Sequence, residues 1–151
     1  MKHLCDANPW LAMTVEIHPH HDSARRWMDE LPDGDQAVFN RATQTSFLRL
    51  LTQPIASGYK PIPQSRAWKL YERLLGDDRI VWNAEPDGIN DLWRQLSENP
   101  RPSPKLWMDS YLVAFAISAG CRMVTFDRAF KQFESKGLDL LLLSDRAAPS
   151  P

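Results

Sequence analysis

The sequence predicts a single α/β domain in which a parallel sheet carries helices on both faces. The chain has 151 residues, enough for one buried core, and its 43% hydrophobic and 25% charged content is ordinary for a globular protein. Short apolar runs alternate with helical patterns, which is typical of parallel strands joined by crossover helices. With no internal repeat or linker, residues 1–145 form the predicted domain and residues 146–151 a disordered tail.

The first elements follow from short apolar runs and helix caps. Residues 2–5 predict a first strand. Asn8 and Pro9 then suit the cap and first turn of a short helix over 10–13. Apolar residues three and four apart predict an amphipathic helix over 20–31.

The middle of the chain continues the alternation. Residues 37–39 predict a second strand and residues 41–52 a helix that ends before a proline. A Pro- and Gly-rich loop leads to a helix over 65–75, and residues 80–82 predict a third strand. A turn then precedes a helix over 89–96.

The last part of the chain contains the most apolar helix. A serine cap and a first-turn proline begin it, so that it spans 103–119, and Gly120 ends it. Residues 123–125 then predict a buried strand, residues 130–134 a short helix, and residues 138–143 a last strand.

One acidic residue stands out in that apolar helix. The helix is expected to be buried, yet it carries Asp109 in its first two turns. Trp107 of this helix, and Trp68 and Trp93 of two other helices, are predicted to be core residues. A buried carboxylate is costly unless it is paired or binds a cation. Asp109 is therefore a candidate site residue.

Two further aspartates follow predicted strands. Asp6 comes directly after the first strand, and Asp127 closely follows the fourth. Functional groups of open parallel sheets gather at the carboxyl ends of the strands, and the start of the helix that carries Asp109 faces the same edge. We expect the three acids to converge there, although a helix cap is an equally good explanation of Asp127 alone.

Three converging carboxylates indicate a particular chemistry. They must share protons or bind a cation, and oxygen ligands without cysteine or histidine favour Mg²⁺ or Mn²⁺. Such an ion can activate water and bind a phosphate, as metal-assisted phosphodiester cleavage requires. The acids thus predict a hydrolytic site that acts on phosphodiesters.

Charge, cysteine and histidine content limit the alternatives. The formal net charge of −1 excludes a global electrostatic attraction to nucleic acid, so any basic surface must be local. Cys5 and Cys121 are predicted to be buried thiols in a reducing compartment. The histidines of residues 18–21 predict a loop and helix start rather than a metal site. No apolar run approaches ~18 residues, so we expect a cytoplasmic protein without a membrane span.

Several motifs together resemble a known family. Residues 4–8, 107–114 and 124–128 resemble the PIN domain, and above all the toxins of VapBC toxin–antitoxin modules. Some of these toxins carry a Thr-Gln-x-x-Phe-Leu-Arg-Leu-Leu-Thr segment, which is present here at residues 43–52. The resemblance covers nearly the whole chain, from residue 2 to about residue 143.

The resemblance implies a fold, an activity and partners. The fold would be a three-layer α/β/α sandwich, PIN-like and Rossmann-like, and the activity that of a Mg²⁺- or Mn²⁺-dependent endoribonuclease toxin. Asp6, Asp109 and Asp127 would be the metal-binding catalytic acids, with Asn8 and Thr125 as polar supports. RNA would be the substrate, a VapB-like antitoxin the protein partner, and a homodimer the expected assembly.

The sequence departs from the family at one position. Most PIN toxins carry a glutamate on the third helix, where this chain has Phe47. Three acids suit one tightly held ion better than two. Gln44 could supply an uncharged ligand or face solvent, and Glu85 could replace the missing acid or simply belong to a turn.

Two other functions stay open from the residues alone. An aspartate after the first strand is also the nucleophile of haloacid dehalogenase-type phosphatases, but these usually have a second acid two residues on, where this chain has Asn8. The missing glutamate also leaves open a PIN-like module that binds RNA or protein without cleavage.

Overall fold

The computed structural model describes residues 1–54 and 58–144 and contains one five-stranded sheet. All pairings are parallel, and the strand order is β3-β2-β1-β4-β5. The strands are β1 (Lys2–Cys5), β2 (Gln36–Phe39), β3 (Ile80–Trp82), β4 (Arg122–Thr125) and β5 (Leu140–Leu142). The order reverses at the central β1, between β1 and β4, and such switch points are where open α/β sheets bind ligands.

Helices cover both faces of the sheet. They are α1 (Ala7–Thr14), α2 (His21–Asp29), α3 (Arg41–Leu51), α4 (Gln64–Leu74), α5 (Ile89–Ser97), α6 (Pro104–Ser118) and a 3₁₀ segment (Arg128–Lys136). Helices α1 to α4 pack on one face, whereas α5, α6 and the 3₁₀ segment pack on the other. The predicted three-layer α/β/α sandwich with a parallel sheet is confirmed.

Alternating side chains of the central strands build both halves of the core. Leu4 and Met123 point towards α5 and α6, while their neighbours Cys5 and Val124 point towards α1 to α4. All four are inaccessible to solvent, because side chains alternate along a strand and both faces are covered. Cys5 and Cys121 are free, buried thiols, as predicted.

Stacked aromatic rings fix α1 and α3 against the sheet. The indole of Trp10 in α1 stacks on the Phe39 ring of β2, with centroids 3.8 Å apart. Phe39 also contacts Phe47 of α3 and Tyr71 of α4. These rings fix the helices that begin at the carboxyl edge of β1 and β2.

The predicted start of the first helix is wrong. Asn8 does not cap it, because α1 begins at Ala7 and Asp6 is its cap, with Asp6 Oδ1 accepting a 2.7 Å hydrogen bond from the Ala7 N–H. Pro9 is therefore the third helical residue. Its missing N–H is tolerated there, because the first four N–H groups of a helix have no partner within the helix.

The predicted burial of the apolar helix is correct for only part of its length. Residues 112–116 of α6 are buried against the sheet, but Trp107 is 62% exposed and Met108 44%. The first turn of α6 lies instead at the sheet edge, where its Lys105 reaches Asp127, the second residue after β4. Trp68 of α4 is also exposed, so two of the three tryptophans predicted to be core are not; Trp93 is partly buried.

The remaining elements agree with the prediction apart from their ends. The last strand is shorter than predicted, and the short helix before it is longer and of the 3₁₀ type. Residues 18–20 form a turn that leads into α2, as predicted. The predicted tail, 146–151, lies outside the described residues. Among the described helices, none combines the length and apolar character needed to cross a membrane.

An ion-paired cluster at the amino edge of the sheet generates a prediction about acid stability. Asp35 accepts hydrogen bonds from the Met1 amino group (2.6 Å) and from His3 Nε2 (2.8 Å). The bond from His3, followed by that from the amino terminus, lowers the Asp35 pKa below its ordinary value of 3.8. This contribution to stability is present above the unfolded-state pKa and is lost as the pH falls through the lower folded-state value.

Substituting Asp35→Asn is therefore expected to lower the urea midpoint near neutral pH. The difference from wild type should be complete above about pH 4 and shrink progressively at lower pH, because the wild-type carboxylate becomes protonated only as the pH falls through its lowered folded-state pKa. Urea unfolding between about pH 3 and pH 7 would measure it. Asp33→Asn, an exposed acid of the same turn, is the control, and an equal pH-dependent effect in this control would contradict the prediction.

Candidate active site

Asp6 stands at the end of the central strand. Its Oδ1 accepts the hydrogen bond from the Ala7 N–H, and its Oδ2 accepts one of 2.9 Å from the Thr125 hydroxyl. Burial raises the Asp6 pKa above 3.8, and these two hydrogen bonds oppose the rise. The sequence thus places a desolvated carboxylate at the switch point of the sheet.

Thr125 joins the ends of two neighbouring strands. It is the last residue of β4 and is fully buried. Its Oγ1 donates to Asp6 and also accepts a 3.0 Å hydrogen bond from the Asp127 N–H. The parallel register pairs Cys5 with Val124, which places the two strand ends side by side. Thr125 therefore lies at the same edge as Asp6, which is the position expected for it.

Asp127 is both a helix cap and a member of the acidic cluster. Its Oδ1 accepts a 2.8 Å hydrogen bond from the Ala129 N–H and so caps the 3₁₀ segment. Its Oδ2 accepts a 2.5 Å hydrogen bond from Lys105 Nζ. The bond from Lys105 is the main reason why the Asp127 pKa lies below 3.8.

Asp109 reaches the same place from α6. Its side chain is 14% exposed, and its Oδ2 lies 3.7 Å from Lys105 Nζ. Burial raises the Asp109 pKa; Lys105 opposes this rise, and the charges of Asp127 and Asp6 add to it. The structure therefore brings the three acids together, as the topology predicts, and they interact electrostatically.

Lys105 was not identified from the sequence. Its ammonium group contacts Asp127 and Asp109 and interacts electrostatically with Asp6. Its contact with Asp127 is the main cause of its raised pKa. The available signal was its position four residues before Asp109 in the predicted helix, because residues i and i+4 of a helix share a face.

The other candidate supports differ in position. Asn8 is exposed in the first turn of α1, at the edge that carries Asp6. Gln44 is buried and does not face solvent, and its Oε1 accepts a 2.6 Å hydrogen bond from Arg41. In the described part of the chain, the Gln44 side chain makes no hydrogen bond to any of the three acids.

Phe47, at the position of the family's glutamate, and Glu85, its possible replacement, both have partners other than the three acids. Phe47 is fully buried in the core between the sheet and α1 to α4. Glu85 follows β3 and accepts a 2.7 Å hydrogen bond from the Tyr111 hydroxyl, so it is a loop residue joined to α6. Burial is the main reason for the strongly raised Tyr111 pKa, and the bond to Glu85 adds to it.

The donor set suits a hard divalent cation. Three carboxylates converge without a cysteine or histidine ligand, and the lysine ammonium beside them shows that the cluster attracts positive charge. Yet over residues 1–54 and 58–144 no three acidic, histidine or cysteine side chains are arranged to hold a metal ion as they stand.

Comparison with known families agrees with this geometry. A model of the PIN domain family matches residues 4–136, which include all three acids. The chain belongs to the PIN domain family. This assignment removes the reason to consider a haloacid dehalogenase-type phosphatase.

Two curated relatives place this PIN domain among VapC proteins. The chain is 45% identical over 145 residues to ribonuclease VapC41 of Mycobacterium tuberculosis, covering 93% of this chain and 98% of that protein. It is 31% identical over 134 residues to ribonuclease VapC31 of the same organism, covering 87% of this chain and 93% of that protein.

Solved structures share the PIN-domain fold at low sequence identity. A chain of the VapBC2 complex of Rickettsia felis, bound to a DNA fragment from its promoter, superposes with a TM-score of 0.69 and 13% identity, covering 95% of this chain and all of that chain. VapBC-1 of nontypeable Haemophilus influenzae gives 0.67 at 15% identity, covering 94% and 98%. Both comparisons support the fold.

The position of Thr125 in this PIN domain predicts a stabilising role. Thr125→Val leaves a buried N–H of Asp127 and an oxygen of Asp6 without their partner, so we expect a loss of about 1–3 kcal/mol of unfolding free energy. The Asp6 pKa should also rise further. Urea unfolding and carboxyl NMR titration would measure the two effects. Thr125→Ser keeps the hydroxyl and is the control, and equal stability of the valine variant and wild type would refute the bridging role.

Placing the family's glutamate at position 47 is expected to destabilise this protein. Because its side chain is fully buried, Phe47→Glu should lose about 3 kcal/mol or more of unfolding free energy by removing an aromatic ring and burying a carboxylate. Phe47→Leu should lose less, since it stays apolar. Thermal unfolding of both would check this. A glutamate variant as stable as wild type would mean that this position faces the acidic edge.

Proposed function

We propose that this PIN-domain protein is a Mg²⁺-dependent endoribonuclease and the toxin component of a type II toxin–antitoxin system. The observation that carries the proposal is the cluster of Asp6, Asp109 and Asp127 at the switch point of the sheet. The names of the VapC relatives, which are ribonucleases, support the same activity.

The three acids would bind the ion, each oriented by a different part of the fold. Asp6 is oriented by the Ala7 N–H and Thr125 hydroxyl, and Asp127 by the Ala129 N–H. Asp109 approaches from α6. When bound, Mg²⁺ or Mn²⁺ would lower the pKa of a water molecule and offset charge on the phosphate.

The expected reaction is hydrolysis of an RNA phosphodiester by water, leaving a 5′-phosphate and a 3′-hydroxyl. With a net charge of −1, substrate affinity must come from local groups. Arg41, whose guanidinium lies 4.7 Å above the Trp82 ring, is one local cation beside an exposed aromatic surface. Aromatic and basic groups together suit single-stranded RNA, because bases stack and phosphates pair with cations.

The proposed partners are a VapB-like antitoxin and a second copy of the chain, in the cytoplasm. Structural neighbours include VapBC complexes, which supports an antitoxin partner. Trp68, Trp82 and Trp107 are exposed. Large exposed aromatic side chains are suited to contact with partners.

Cleavage of RNA by the purified protein is the direct test. We expect total cellular RNA to give discrete fragments with Mg²⁺ or Mn²⁺ and none with EDTA. Asp6→Asn and Asp109→Asn should each reduce the rate by about 10²-fold or more, because charge stabilisation at the reacting phosphate is lost. Gel electrophoresis and mapping of the 5′ ends would record the products.

Asp139→Asn provides a matched control for this experiment. Asp139 is an exposed acid that pairs with Arg122 at the opposite edge of the sheet, so its loss should leave cleavage unchanged. Intact RNA under every condition, from folded protein free of antitoxin, would contradict the nuclease. It would favour a PIN module that binds without cleavage, for which the buried Phe47 in place of a fourth acid is the supporting observation.

A further inference from the structure

A lysine ammonium group contacts two of the three acids in the cluster. Lys105 Nζ lies 2.5 Å from Asp127 Oδ2 and 3.7 Å from Asp109 Oδ2. It also interacts electrostatically with Asp6. One side chain of this protein therefore places a positive charge against two of the carboxylates that would bind Mg²⁺.

The position of Lys105 in its helix is unfavourable by itself. It is the second residue of α6, directly after Pro104. The amino-terminal turn of a helix carries partial positive charge, so acidic rather than basic side chains stabilise it. The three acids supply the compensating interaction, which explains a lysine at this place better than the helix does.

The ion pairs of Lys105 with the acids can also be broken without unfolding the site. The Lys105 side chain is 66% exposed, whereas that of Asp109 is 14% exposed. The flexible lysine stem can move into solvent, but the carboxylate cannot leave without α6. A divalent ion carries twice the charge of an ammonium group and interacts correspondingly more strongly with the same acids.

We propose that Lys105 is a built-in counter-ion that partly neutralises the acidic cluster in the metal-free protein and must be displaced when Mg²⁺ or Mn²⁺ binds. This inference rests on the proposed metal-binding role of the acids. Lys105 is then a positioning residue that lowers metal affinity and keeps the carboxylates from repelling one another.

Metal affinity measured by calorimetry separates this role from that of an ordinary surface ion pair. With Mn²⁺ as the probe, Lys105→Gln should bind about tenfold or more tightly than wild type, since no ammonium group competes for the acids. Lys105→Arg keeps the charge and should bind like wild type. Lys131→Gln, which removes an exposed lysine of the neighbouring 3₁₀ segment, should also bind like wild type and controls for net charge.

Thermal unfolding supplies a second readout. Without metal, Lys105→Gln should melt below wild type because its carboxylates repel one another, and Mn²⁺ should raise its melting temperature by more than that of wild type. Lys105→Met, which is similarly long and uncharged, repeats the test should the glutamine side chain distort the site.

The outcomes distinguish the two proposals. Equal or weaker Mn²⁺ binding by the glutamine and methionine variants, with measurable binding by wild type, would overturn the counter-ion role and leave the metal site in place. No binding by any variant would remove the proposed metal role of the acids and with it this inference. Tighter binding by the arginine variant, equal to that of glutamine, would also overturn it.

Discussion

The acidic edge of this protein depends on the pair of hydrogen bonds made by Thr125. They join Asp6 to the backbone of Asp127, so that two strand ends separated by 119 positions in the sequence act as one unit. Burial makes this link strong, because neither partner can exchange it for a bond to water without unpacking the edge. Asp109 and Lys105 reach this linked edge from α6.

Charge is distributed unevenly over the cluster. Burial raises the pKa values of Asp6 and Asp109, whereas Lys105 lowers that of Asp127. Groups in one small site with pKa values shifted in opposite directions are typical of functional centres, where the fold sets the environment of each acid separately. Structural ion pairs also shift pKa values, and the contact of Lys105 with Asp127 is one of them.

The sequence predicted the fold well because its signals were local. The continuous apolar run that ends in Leu4 and Cys5 is a property of a single segment. So are the proline at the start of α6 and Gly120 after its end, with a φ of 64°. The site acids could be predicted from topology, since parallel strands end at one edge. Their convergence needed no knowledge of side-chain contacts.

The errors concerned properties that depend on distant segments. Trp107 has the apolar neighbours of a core residue, but its turn of α6 lies at the sheet edge rather than over the sheet, which the sequence pattern does not reveal. Asn8 is a suitable cap by residue type. The helix nevertheless begins at Ala7, because Asp6, which directly follows β1, caps it. Lys105 was missed because its main partner, Asp127, lies beyond the helix.

The central place of β1 has a consequence for the synthesis of the protein. Strand β1 is made first, but its partner β4 is made only after α6, so long-range pairing must wait for the later part of the chain. Folds dominated by such non-local contacts form slowly, and their intermediates lack the final sheet. A nascent chain that ends before β4 therefore carries Asp6 without Thr125, and the acidic edge can assemble only after β4 has been synthesised.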